Sequence, residues 1–153
     1  MTEENKRFLL KDLCSRIPYG VKCKYNCVVP ICDRQLNVTN NVSELSGIDT
    51  LCGVPTYMLG SHRVNALSDD IRPYLRPLSS MTKKELDEIK RKWTFCEDCR
   101  VENVMNVFHN RVTIEIGDID TFVDWLNSHH FDYRGLIGEG LALEAPEGMY
   151  EIK

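Results

Sequence analysis

The chain of 153 residues contains no apolar run approaching the roughly 18 residues that a membrane span requires. Its start, Met1-Thr-Glu-Glu-Asn-Lys-Arg7, is charged and leads into a short amphipathic run. A signal peptide would need a longer apolar core and a small-residue cleavage site. The expectation is a cytoplasmic protein with no membrane partner. The chain also lacks a basic total: 19 Lys and Arg stand against 23 Asp and Glu, a net charge of −4. The balance is uneven, ten against eight in residues 1–77 and nine against fifteen in residues 78–153, or +2 and −6. Nucleic-acid binders usually carry a basic stripe, so a nucleic-acid partner is not expected. A phosphate-contacting face would have to lie in the front half or on the one basic helix near residue 90.

Without an export signal, the seven cysteines do not read as a disulfide framework. Most are expected to be buried thiols, because free Cys packs like a small hydrophobe. Cys96-Glu-Asp-Cys99 has no second C-x-x-C to complete a four-ligand zinc site. Cys96, Cys99 and His109 remain candidate metal ligands if a distant thiol or histidine joins them. The two acids between the thiols disfavour a thiolate, which argues against redox chemistry. The motif therefore reads first as incidental, and no cofactor is expected. A dinucleotide fingerprint is missing too: Gly135, Gly138 and Gly140 have the wrong spacing, and no strand leads into them.

What is present is patterned for an α+β domain. Leu9, Leu13 and Ile17 recur at helical spacing, with Leu10 and Cys14 beside them, and predict a helix over residues 3–16 ended by Pro18-Tyr19-Gly20. Glu3, Glu4 and Arg16 suit its dipole. Val21, Cys23, Tyr25, Cys27, Val29 and Ile31 alternate with other residues, the mark of a half-buried strand. Pro30 favours an edge or the strand's end. Residues 33–42, rich in Asn, read as a turn or loop. Strands are expected around Leu45–Leu51 and Thr56–Val64, joined by a turn at 52–55. His62 has no evident partner.

Residues 68–77 read as a short helix capped at Asp69 or Asp70, with Pro73 in its first turn. Thr82 and Glu85 form a capping box, with Met81 and Leu86 placed for a hydrophobic staple. Leu86, Ile89 and Trp93 mark that helix's inner face, while Lys83, Lys84, Lys90, Arg91 and Lys92 read as its solvated side. Residues 100–110 could be helical, and Arg111–Ile116 alternates as a strand. A helix begins near Asp118 or Asp120 and runs to about Ser128, burying Phe122, Val123 and Leu126. Leu141–Leu143 could add a short strand. The fold expected is one α+β domain over 1–153, an antiparallel sheet of about four or five strands with helices on one face.

The richest chemistry lies in His129-His-Phe-Asp-Tyr-Arg134. His129, His130, Asp132 and Arg134 are the candidate catalytic groups, since an Asp can orient an imidazole and an Arg can hold an oxyanion. Adjacent histidines diverge, however, and lack the i, i+4 spacing of a zinc helix. His and Arg at a helix end also answer its free carbonyls. The structural use is favoured over the catalytic one. Trp125, Phe131, Tyr133 and Arg134 are the candidate interaction residues.

The segments Leu9–Val21, Ile71–Thr82 and Trp125–Tyr150 cover about a third of the chain. With their wordings Pro73-Tyr-Leu-Arg-Pro77 and His129-His-Phe-Asp-Tyr-Arg-Gly-Leu-Ile137, the chain resembles a family of small uncharacterised proteins from prophages and mobile elements of gut Bacteroides. Residues 33–65 and 93–118 match no such pattern. Gly138-Glu-Gly140 departs from the Glu-Lys-Gly expected before Leu141, which leaves the length of a helix there open. The resemblance implies a genomic setting and a bacterial host cytoplasm, and brings no activity. The reading carried forward is a non-enzymatic interaction module with a protein partner. The alternatives are a metal-dependent or His/Asp-based nucleic-acid-processing enzyme and an acidic inhibitor of a host protein.

Overall fold

A computed structural model describes residues 1–31, 34–51, 54–65, 71–93 and 119–150. Within them the order is α1 (Glu3–Arg16), a 3-10 turn (Ile17–Tyr19), β1 (Lys22–Ile31), β2 (Arg34–Leu51), β3 (Val54–Leu59), β4 (His62–Asn65) and β5 (Ile71–Leu75). A second 3-10 turn (Leu78–Ser80), α2 (Lys83–Lys92), α3 (Ile119–Ser128) and β6 (Leu143–Glu144) follow. The helix and strand predicted at 100–110 and 111–116 lie outside the described residues.

The class is α+β, but the sheet is larger than expected and is not purely antiparallel. Among the described residues six strands run in the order β4-β3-β2-β1-β5-β6. The pairs β1–β2, β1–β5, β2–β3 and β3–β4 are antiparallel, whereas β6 runs parallel to β5. The parallel edge follows from connectivity. A long crossover that includes α2 and α3 separates β5 from β6, and parallel neighbours need such a connection where antiparallel ones can use a hairpin.

Three local expectations change. The Asn-rich stretch is strand, not loop: it forms the first half of β2 and pairs with β1. Polar residues survive there because Asn37, Thr39 and Asn40 are exposed, as is Val42. Between Tyr25 and Cys27 the register slips, and Asn40 takes up the slip with φ of 57°. Asn tolerates that left-handed conformation better than most residues, and the Asn26 Oδ1 accepts from the Asn40 N–H at 2.8 Å. Second, Thr56–Val64 is a hairpin rather than one strand. Leu59 pairs with His62 across Gly60 and Ser61, and Gly60 has φ of 58°. Two-residue hairpin loops demand such a residue. Third, residues 71–75 are strand β5 and not a helix. Arg72 and Arg76 each precede a proline, which drives them to extended backbone. Ile71, Pro73 and Leu75 then fall on the buried face.

Strand β2 serves both halves of the sheet, pairing with β1 up to Glu44 and with β3 from Leu45. A bulge between Leu45 and Gly47 marks the change of partner. The core gathers over this bend. Leu9 and Leu13 of α1 meet Val21, Cys23, Tyr25, Leu45, Tyr57, Leu59, Ile71 and Leu75. Each fully buried Leu contributes about 2 kcal/mol of transfer free energy. The Tyr25 hydroxyl lies 2.7 Å from His62 Nδ1, the partner that the sequence left unnamed. Cys23 is buried and Cys27 packs against the same core, as expected, but Cys14 is exposed.

Both ends of α1 are specified. Thr2 caps it by accepting from the Asn5 N–H. At the other end Arg16 is not a surface complement to the dipole. It is fully buried and forks onto Asp12, Nε to Oδ2 at 2.7 Å and Nη2 to Oδ1 at 3.2 Å. Arg16 Nη2 also donates to the Phe131 carbonyl at 2.9 Å. Removing one partner of a buried ion pair strands the other charge. Asp12→Ala is therefore expected to destabilise the fold by about 3–5 kcal/mol in chemical denaturation. A loss below about 1 kcal/mol, the range of exposed pairs, would contradict the burial of Arg16.

Candidate functional site

The site begins with a second core. Ile89 and Trp93 of α2 and its end meet Phe122, Trp125 and Leu126 of α3, together with Phe131. The capping box that starts α2 is present as expected, with Glu85 accepting from the Thr82 N–H at 2.8 Å. Glu85 also takes a fork from Arg76, at 2.7 and 3.1 Å. Burial alone would raise the Glu85 pKa, but the hydrogen bonds from Arg76 and Thr82 outweigh it and hold the carboxyl below its ordinary value. Arg76 meanwhile sits over the Phe131 ring, 4.3 Å from its centroid.

Helix α3 ends in a Schellman motif. The His130 N–H donates to the Asn127 carbonyl and the Phe131 N–H to the Leu126 carbonyl, both at 3.0 Å. The residue with left-handed backbone in this motif is usually Gly, yet here it is His130, with φ of 58°. The chain then clamps onto Arg76: its N–H donates to the His130 carbonyl, and the Asp132 N–H donates back to its carbonyl, both at 2.8 Å.

These contacts scatter the candidate catalytic groups. His129 Nδ1–H donates to the Trp125 carbonyl at 2.9 Å, and its ring stacks on Trp125 at 4.0 Å. His130 turns the other way and stacks on Tyr150 at 3.7 Å. Both Asp132 carboxylate oxygens accept backbone N–H bonds, from Leu136 and Ile137, at 2.8 Å. Arg134 reaches Asp12 at 3.6 Å, beside the buried Arg16, and lies over the Tyr133 ring. No hydrogen bond joins any two of His129, His130, Asp132 and Arg134. Of the candidate interaction residues, Trp125 and Phe131 are buried in the core. Tyr133 is partly buried and donates to Asn127 Oδ1 at 3.2 Å. Cys96, Cys99 and His109 lie outside the described residues, and among the described residues no group of three or more potential ligands gathers. Likewise, no described helix is long and apolar enough to cross a membrane.

What does converge is a cleft of about 930 Å³ between Pro18–Gly20, Lys22, Glu44, Arg76, Ser128–His130 and Gly148–Tyr150. Tyr150 is its hinge pin. Its hydroxyl accepts from the Lys22 N–H at 3.0 Å and donates to the Tyr74 carbonyl at 2.9 Å, so it joins β1 to β5. Lys22 Nζ donates to the Met149 carbonyl at 3.0 Å. His130 is 6% exposed, and its Nδ1 is buried without a hydrogen-bond partner. Burial, then the charges of Arg16, His129, Arg76 and Lys22, push its pKa down from 6.5 to about 4. At neutral pH the ring is uncharged. Lys22, Glu44 and Tyr150 were not singled out in the sequence. Lys22 was visible only as a wet-face residue of β1, and nothing local pairs it with a tyrosine 128 residues away.

Comparison with protein-family models, curated proteins and solved structures finds no match.

The unfolded imidazole titrates near 6.5 and the folded one near 4, so the unfolded chain takes up this proton first as pH falls. The stability that rests on a neutral His130 is full above about pH 6.5 and drains away toward pH 4, a loss on the order of 3 kcal/mol. His130→Asn keeps a residue that accepts left-handed backbone and removes this titration. Its stability between pH 7 and pH 4, measured by urea denaturation, is expected to fall less steeply than that of the parent. Identical slopes would contradict the burial of the ring.

Proposed function

We propose that the chain is a non-enzymatic protein-interaction module of a phage or mobile element, acting in the cytoplasm of a bacterial host, and that the cleft beside His130 receives a segment of its partner. The observation that carries this reading is that the C-terminal segment supplies half of the cleft's lining while three of its candidate catalytic groups, His129, Asp132 and Arg134, are each held by a structural bond. His129 closes a helix end, Asp132 holds the turn after Phe131, and Arg134 answers Asp12. A nucleic-acid-processing enzyme would need such groups within reach of one reacting atom. Pockets of several hundred Å³ that combine aromatic walls with a few polar groups are the usual form of a recognition site. The genomic setting rests on the resemblance of Leu9–Val21, Ile71–Thr82 and Trp125–Tyr150.

The test is capture from a Bacteroides lysate with the tagged parent and with Ser128→Trp, which places bulk at an exposed position on the cleft wall. A stoichiometric partner that resists nuclease and is lost with Ser128→Trp is the expected outcome. Equal recovery with both proteins, or nucleic acid alone that vanishes after nuclease, would overturn the reading.

A further inference from the structure

Three features of the cleft point to the chemistry of its occupant. The first is His130 itself. A non-glycine residue in left-handed backbone costs about 1–2 kcal/mol, and a buried ring nitrogen without a partner adds to that cost. Strain of this kind, kept at the wall of a cleft, points to a role in binding. Nδ1 is the buried nitrogen, so Nε2 is the one that the ring offers to the cleft. In the neutral ring the proton is better placed on the solvated Nε2 than on a buried, unpaired Nδ1, which makes Nε2–H a donor at neutral pH.

The second feature is the charge around that donor. The groups acting on the ring are Arg16 from α1, Lys22 from β1, Arg76 after β5 and His129 from its own segment, all capable of positive charge. Arg16 is paired with Asp12 and Arg76 with Glu85. Among the described residues the Lys22 ammonium has one hydrogen bond, to the Met149 carbonyl, and it lies over the Tyr150 ring at 5.8 Å. The ring against which His130 stacks is that same Tyr150.

The third is what stands opposite. Glu44 lines the cleft and pairs in register with Lys22 across the β1–β2 ladder. One available ammonium and one neutral N–H suit a single negative charge, and the Glu44 carboxylate nearby disfavours a second. A phosphate dianion is best held by a guanidinium fork, and those of Arg16 and Arg76 are already taken.

We infer that the part of the cleft lined by Lys22, His130 and Tyr150 binds a carboxylate of the partner's polypeptide chain. This rests on the cleft being the partner's docking site. Binding would bring a negative charge beside His130 and offset the cations around it, so the imidazole should take up a proton more readily in the complex.

The experiment follows the His130 ring resonances by NMR in the full chain, assigned by their loss in His130→Asn, across a pH titration. Four probes are added in turn: tetrapeptides containing Asp or Glu with amidated ends, acid-free tetrapeptides with a free C-terminal carboxylate, acid-free amidated tetrapeptides, and inorganic phosphate. At least one carboxylate pool should raise the His130 midpoint by about one unit, and which pool does so tells a side-chain carboxylate from a chain terminus. Lys22→Met, which keeps the aliphatic stem, should weaken that pool's binding about tenfold or more while the dispersed spectrum of the folded chain is retained. An equal response to the amidated neutral pool, a response to phosphate alone, or silence from both carboxylate pools would overturn the assignment. Silence combined with a partner lost through Ser128→Trp would leave the docking site standing without the carboxylate. A carboxylate response combined with capture indifferent to Ser128→Trp would leave a carboxylate site and remove the docking role.

Discussion

The pair of Asp12 and Arg16 is the contact on which the rest of the structure hangs. Both side chains are fully buried at the base of α1, and the guanidinium reaches the backbone of Phe131 across 115 residues. A charge cannot sit in the interior unless its partner and its hydrogen bonds are in place. The pair therefore fixes where the C-terminal segment must lie before that segment makes any contact of its own. Arg134 joins the same Asp12 from the other side, and the Tyr133 ring lies under both guanidiniums, 5.4 and 5.1 Å away.

From that anchor the site is assembled by substitution of one kind of bond for another. Side chains do the work of backbone ladders where the sheet would otherwise be open. The Tyr150 hydroxyl stands between β1 and β5, Asp132 replaces carbonyls for two backbone N–H groups, and Arg76 ties the start of α2 to the end of α3 through Glu85 and the His129 and His130 backbones. The two hydrophobic cores need this stitching because they are built from different elements. One belongs to α1 and the sheet, the other to α2, α3 and Phe131.

Elements governed by local rules were legible in the sequence. The periodicity of Leu9 and Leu13, the alternation from Val21 to Cys27 and the box of Thr82 and Glu85 all appear where the pattern put them. Elements governed by partners were not. Residues 33–42 lack apolar alternation, and Asn37, Thr39, Asn40 and Val42 are exposed, so the strand is visible only through its pairing with β1. Residues 71–75 show two prolines, which read equally as a helix start or as extended backbone until β1 supplies the neighbour. The candidate site was half legible. The C-terminal histidines were found, and their separation was foreseen from adjacency. Of the residues that make His130 distinctive, Arg16, Lys22 and Arg76 come from other parts of the chain and Tyr150 from twenty residues on, and no spacing rule connects them.

Most of the cleft's walls come from residues 18–22 and 128–150, with Glu44 and Arg76 between them, joined by bonds such as that of Lys22 to Tyr150. Closing a loop of that length is entropically slow compared with forming a helix or a hairpin. The cleft therefore cannot exist on a partly folded chain, however much of α1 and the β1–β2 hairpin has formed. Anything that grips the cleft recognises only the finished molecule, and its hold draws the folding equilibrium toward completion.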